Sequence, residues 1–327
     1  MLRRFLLCLC CAVAAAGAPV PVLFDTDMGN DIDDALALAM LHSLESRGEA
    51  KLLAVTLTKD HPHAAVYVDL VNHFYGRPRI PVGVVRDGKT PEASPMISAP
   101  VERRDTAGRP VYPRRLASGR DADEAVQLLR RILAAADDRS VVFVQVGFST
   151  NLARLLASTP DAASRLGGRD LVARKARLLS IMAGAFPGKP EYNVRVDVPS
   201  ARTVFDEWPT PIIVSGFEIG REILYPAASI ERDFAYVLHH PVADAYRAYR
   251  KMPYDRTTWD LTSVLVAVRP DGEYFSLSAT GRVRVDDDGT THFAPGAGSH
   301  RYLTADAAQR AKALAAMVEL ASQPPGH

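Results

Sequence analysis

Ten residues near the start of the chain, Asp25 to Asp34, read DTDMGNDIDD and carry five carboxylates. They follow directly on the apolar run VPVLF and run straight into ALALAMLHSL. The first flank reads as a strand buried on both faces and the second as a buried helix, so the acids occupy a strand-to-helix junction with core on either side. Carboxylates crowded in this way repel one another at neutral pH. A fold built around such a junction must expose it or bring positive charge to it, and the apolar flanks argue against exposure.

The same alternation continues along the chain. Strands are expected at Pro21–Phe24, Leu52–Thr58, Pro81–Val85, Val141–Val146, Leu178–Met182 and Pro211–Val214. Helical periodicity covers Asp34–Leu44, Ala64–Tyr75, Ala122–Ala136, Asn151–Ala157, Ser200–Glu207, Pro241–Lys251, Leu261–Val268 and Ala305–Ser322. Short, wholly apolar strands separated by helices predict an α/β fold: a mostly parallel central sheet with helices on both faces. Residues 86–120, rich in Pro, Arg, Gly and Ser, show no period; so long a connection is expected to border a site at the carboxyl edge of the sheet. A hairpin-like stretch, EYFSLSATGRVRVDDDGTTHFAPG, precedes the last helix. Neither a repeat nor a linker divides the chain, which predicts one domain over residues 19–327.

The first eighteen residues, MLRRFLLCLCCAVAAAGA, have a basic start, an apolar stretch and a small-residue end, the pattern of a secretory signal peptide too short to span a bilayer comfortably. Cleavage is expected after Ala16 or Ala18. All three cysteines, Cys8, Cys10 and Cys11, fall in this segment, so the mature chain is expected to hold no thiol, disulfide or thiolate metal site. No other apolar run reaches membrane-spanning length, and the expectation is an exported protein, periplasmic or secreted. A formal net charge of +1 gives no global attraction to nucleic acid or anionic membrane. The local basic cluster of Arg103, Arg104, Arg114 and Arg115 lacks interleaved aromatics and reads as solvated surface.

What, then, is the acidic turn for? Asp25 and Asp27 leave the first strand at its carboxyl end, where open parallel sheets bind ligands. Asp33 and Asp34 begin the next helix, whose N-terminus supplies about half a positive charge, enough for one or two carboxylates but not five. A hard divalent cation taking several carboxylate oxygens removes the repulsion, and Gly29 allows the backbone to fold back so that the acids converge. Two other readings compete. One is an exposed helix cap; the other is a phosphatase of the haloacid dehalogenase type, in which an Asp-x-Asp after the first strand supplies a nucleophile and an acid. The latter wants Thr or Ser soon after the second Asp, where this chain has Gly29 and Asn30.

With DTDMGNDIDDALALAM on the page, the chain resembles the inosine/uridine-preferring nucleoside hydrolase family, which opens with a strand, an Asp-x-Asp-Pro-Gly turn and an Asp-Asp-Ala helix start. Here Met28 replaces the Pro, and two extra residues separate Gly29 from the Asp pair. VQVGFSTNLARLL, IMAGAFPGKPEYNVRVDVPSA and WDLTSVLVAV resemble later family segments in the right order. The resemblance implies a calcium ion held by Asp27, Asp34, the Thr150 carbonyl and Asp260, with the sugar diol completing its shell. It implies Asp27 as general base, Asp33 and Asn193 on the ribose hydroxyls, Glu191 toward the 5′ end, and Asp25 bracing the turn. It further implies a small nucleoside or riboside as partner and, often, a homo-oligomer.

One position breaks the pattern. Trp259 stands where family members place a His that protonates the departing base. Indole donates no proton to a leaving group, although it stacks on planar rings. His61, His63, His240, Lys59 and Asp60 are the substitutes the sequence offers. The alternative is a pocket in which hydrolysis has faded and a riboside is bound through calcium.

Overall fold

The apolar runs form strands because neither of their faces meets water. In the computed structural model, which describes residues 17–326, the parallel strands are β1 (Val20–Thr26), β2 (Ala50–Lys59), β3 (Val82–Lys89), β4 (Asp123–Glu124), β5 (Val141–Gln145), β6 (Ala176–Met182) and β7 (Ile212–Ser215). They lie in the order β7-β6-β5-β1-β2-β3-β4, each adjacent pair parallel. Every residue of β5 is buried, as are Val22 to Thr26 of β1. The fold is the predicted one, a mostly parallel sheet.

The chain runs outward from β1 to β4, then returns to the other side of β1 to lay down β5, β6 and β7. Such a reversal opens a crevice beyond the carboxyl ends of the two strands that flank it. Asp25 therefore ends up opposite Gln145 of β5 and Thr56 of β2, at the mouth of that crevice.

The hairpin expected in the tail exists, with Gly281–Val285 pairing antiparallel with Thr291–Pro295. It is not an appendage. Strand His300–Thr304 runs parallel to β7 and carries the hairpin as an extension of the main sheet. Helix α1 (Asp33–Ser46) is apolar around its whole circumference, a pattern that demands burial on all sides, and Asp33 through Leu44 are all buried. It packs against the helices Trp259–Val268 and Ala307–Ser322. Most element ends fall within a few residues of expectation. The helices Pro95–Glu102 and Gly168–Lys175 were not legible: the first carries Pro95 and Pro100, which hide its period, and the second is largely polar.

The aperiodic stretch 86–120 does border the acidic turn. Ser94 Oγ donates to the Gly29 carbonyl at 2.6 Å, and Thr90 Oγ1 accepts from Asn30. Apart from Gly17 and Ala18, the expected leader lies outside the described residues, and so do the three cysteines. Among the described residues no helix is long and apolar enough to cross a membrane.

Two glycines fix the backbone around the turn. Gly29 has φ +115°, a conformation that disfavours side chains. Gly147 lets the loop after β5 close against β1: a Cβ there would stand 2.5 Å from the Asp27 nitrogen and 2.4 Å from Thr58 Oγ1. Gly147→Ala is therefore expected to cost about 1–3 kcal/mol of stability through overpacking, read as a lower denaturation midpoint. An unchanged midpoint contradicts this close approach.

Candidate active site

Each carboxylate of the turn meets a different fate. Asp25 points into the protein, where its Oδ1 accepts from Thr56 Oγ1 at 2.6 Å and from Asn151 Nδ2 at 2.8 Å. Its backbone carbonyl accepts from the Val146 nitrogen at 2.7 Å. These bonds tie the end of β1 to β2, to the loop after β5 and to the helix Thr150–Ala157. Burial pushes the Asp25 carboxyl up to about 7, opposed by Asn151 and Thr56.

Asp27 faces the crevice. Its Oδ2 accepts from Asn30 Nδ2 at 2.7 Å, and Asn30 Oδ1 in turn accepts from Lys59 Nζ at 2.9 Å. Lys59, only 2% exposed, donates also to the Thr90 carbonyl at 2.6 Å. A cation of the chain itself thus supports Asp27 through one amide. Even so, burial lifts the Asp27 carboxyl to about 6. Asp31 pairs with Arg256, whose Nε donates to its Oδ1 at 2.8 Å.

Asp33, Asp34 and Asp260 have no such partner. Asp33 and Asp34 open α1, and Asp260 opens the helix Trp259–Val268, so two buried helix N-termini meet at one point. One carboxylate oxygen from each lies within 4.8 Å of the other two. Asp33 Oδ2 accepts the Asp260 backbone N–H at 3.2 Å, and Thr26 Oγ1 donates to Asp34 Oδ1. Asp34 Oδ2 is buried with no hydrogen-bond partner. Helix termini favour such charges, but burial dominates and raises all three carboxyls well above their usual range, followed by repulsion from Asp31 on Asp33 (partly offset by Arg256), from Asp27 on Asp34 and from Asp33 on Asp260. A buried trio of hard oxygens with an orphaned acceptor fits a divalent cation.

The crevice is a cavity of about 350 Å³. Asp27, Asp33, Asp34 and Asp260 line it, joined by Glu191 and Asn193 from the segment after β6. Glu191 caps the short helix Tyr192–Val196, accepting from the nitrogens of Asn193 at 3.0 Å and Gly184 at 3.1 Å, and burial pushes it up to about 7. Asn193 Nδ2 donates to the Val146 carbonyl at 2.7 Å. Trp259, Phe217, Tyr192 and Arg256 also belong to the lining. The Trp259 indole is fixed by Nε1 donating to the Phe217 carbonyl at 2.9 Å.

Of the residues singled out in the sequence, Asp27, Asp33, Asp34, Glu191, Asn193, Trp259 and Asp260 all line this cavity. Thr150 is not among the lining residues; it is buried as the first residue of its helix, with its hydroxyl donating to Asp197. The substitute donors do not converge here. His240 packs among Phe74, Phe234 and Tyr236, and burial drives its pKa down to about 3. His61 Nδ1 accepts from the His63 backbone nitrogen, His63 Nδ1 pairs with Ser98 Oγ, Lys59 donates to Asn30, and Asp60 accepts from the Gly88 nitrogen. Asn30, Thr26 and Arg256 are site residues that sequence reasoning did not assign, and Lys59, considered as a proton donor, instead supports Asn30. For Asn30 and Thr26 the signal was present in DTDMGND; for Arg256 there was none.

The profile of the inosine-uridine preferring nucleoside hydrolases matches residues 22–320. The chain belongs to that family. Its class of chemistry is accordingly that of glycosidases acting on N-glycosyl bonds. Solved structures share the fold at low identity. A plant nucleoside hydrolase has a TM-score of 0.67 at 21% identity, covering 94% of this chain and 100% of its own. An inosine-uridine preferring nucleoside hydrolase from Bacillus anthracis has 0.68 at 16%, covering 93% and 99%. The type III effector XopQ, solved with adenosine diphosphate ribose, has 0.69 at 17%, covering 93% and 94%. No curated protein matches the chain in sequence. Family membership removes the phosphatase reading, and the geometry agrees, because the braced Asp25 does not line the cavity.

These raised carboxyls have a thermodynamic consequence. A group whose pKa is higher in the folded protein gives stability that is complete below its unfolded value, about 4, and is lost as pH rises through the folded value. The metal-free protein should therefore melt at lower temperature at about pH 8 than at about pH 5, and a divalent cation should raise the melting temperature more at the higher pH. Equal cation-induced gains at both contradict the unpaired trio.

Proposed function

We propose that the protein hydrolyses the N-glycosidic bond of ribonucleosides or related ribosides, with calcium as its metal and Asp27 as general base. The observation that carries this reading is the meeting of Asp33, Asp34 and Asp260 in the lining of a cavity that also carries Trp259, Phe217 and Tyr192. What supports Asp34 and Asp260 as ligands is the spacing of their oxygens; what supports Asp27 and the Thr150 carbonyl is the family resemblance. Asp33 and Asn193 bind the ribose hydroxyls, and Glu191 faces the 5′ end. Calcium, when bound, supplies a fixed double charge that grips the sugar diol and modestly acidifies water.

The remaining steps belong to the chain. Asp27 accepts a proton from the attacking water as its oxygen bonds to the anomeric carbon. Such general-base help is worth roughly 10²–10⁴-fold. Attack on the face opposite the base inverts the anomeric centre. The surrounding carboxylates favour the positive charge that develops on the ring. Export is part of the same proposal, since the leader precedes the matched region.

A second reading, a calcium-dependent riboside-binding protein, is favoured by one observation: among the described residues, no histidine lines the cavity. Release of reducing sugar from p-nitrophenyl riboside, whose leaving group departs unaided, separates the two. Turnover there supports the hydrolase, and no turnover on it or on inosine with calcium bound supports the binder. Asp27→Ala should lower hydrolysis by about 10²-fold or more and weaken calcium binding in the same titration. An active variant with unchanged affinity contradicts the assignment of Asp27.

A further inference from the structure

Two departures from the family pattern, the extra residues before the Asp pair and Trp259, meet in space at a single side chain. Arg256 lies three residues before Trp259, in a two-residue strand paired with Leu224–Tyr225. Its guanidinium is gripped by Asp31, one of the residues between Gly29 and the Asp pair, through Nε and Nη2. Its Cζ stands 5.4 Å from the Trp259 ring centroid and 5.2 Å from that of Tyr249. Nη1 makes no hydrogen bond to any of the described residues, and Arg256 is the one cation among those that line the cavity. A side chain braced by a carboxylate and two rings is held in place, with donors left over.

The carboxylates and the rings that line the cavity cannot exchange roles. The carboxylates suit sugar hydroxyls and a ring that becomes positive, and they repel a departing base that becomes negative. Trp259 and Phe217, adjacent rings in the lining, are where a planar base can stack, and Arg256 lies beside Trp259. We infer that Arg256 is a catalytic residue that stabilises the leaving base by charge and hydrogen bonding in place of protonating it, with Asp31 as its positioning residue. This rests on the hydrolase reading above. As the C1′–N bond breaks, its electron pair stays on the base, whose ring nitrogens and carbonyl oxygen spread the charge toward the guanidinium. Water supplies the oxygen at C1′, Asp27 takes one proton, and the released base is neutralised by a proton from solvent. Because Arg stays charged throughout the useful pH range, it can act as an electrostatic donor but not as a general acid.

The test compares inosine with p-nitrophenyl riboside in the calcium-loaded full chain. Arg256→Met should lower kcat/KM for inosine by about 10²-fold or more, the usual effect of removing one such donor, while p-nitrophenyl riboside loses less than about tenfold. Arg256→Lys, which keeps the charge but not the fork, should fall between. Asp31→Asn should shift the ratio of the two substrates in the same direction by less. The double variant Asp31→Asn/Arg256→Met leaves no unpaired carboxylate behind, so it guards against simple misfolding and should keep the altered ratio. Equal losses on both substrates in variants that melt like the parent overturn the inference and leave the hydrolase reading intact. A parent protein inert on both substrates overturns the hydrolase reading, and this inference with it.

Discussion

Everything at this site depends on two buried helices that point their N-termini at the same spot, each with aspartate in its first turn. α1 brings Asp33 and Asp34, and the helix Trp259–Val268 brings Asp260. Neither helix can retreat. α1 is buried from Asp33 to Leu44, and its partner is buried from Asp260 to Val268. Packing therefore forces three carboxylates together where water cannot screen them. Charge compensation at that point is a condition of the fold as well as a requirement of the chemistry.

The chain answers the crowding of its acidic turn unevenly. Lys59 supports Asp27 through Asn30, Arg256 neutralises Asp31, and hydroxyl and amide donors from Thr56 and Asn151 satisfy one oxygen of Asp25. The trio is left to protons or to a metal. The division has a use: Asp25 and Asp31 are tied into the scaffold, Asp27 is oriented by Asn30 while it faces the cavity, and the trio keeps an orphaned acceptor with which to hold a ligand. It also leaves a cavity lined by carboxylates, by the rings of Trp259, Phe217 and Tyr192, and by the guanidinium of Arg256.

Much of this was legible in the sequence because it depends on local pattern. Wholly apolar strands and an apolar-all-round helix announced a doubly covered parallel sheet, and the density of acids at one junction announced the site. The motif segments placed Glu191, Asn193 and Asp260 in the same cavity although they stand far apart in the chain. What was not legible depends on tertiary pairing. Arg256 and Asp31 are 225 residues apart, and neither carries a local signal for the other. The histidines considered as proton donors were candidates by type alone; packing sent His240 into an aromatic cluster away from the cavity. The tail strand His300–Thr304 joins the main sheet through its register with β7, which no local period reveals.

The most direct test is a crystal structure of the calcium-soaked protein with ribose at about pH 8, where the trio is ionised around its ion. The account predicts one cation bonded to carboxylate oxygens from both helices, Asp34 from α1 and Asp260 from the other, with the sugar diol on its open side. Calcium at saturating concentration with no ion between those two side chains would contradict it.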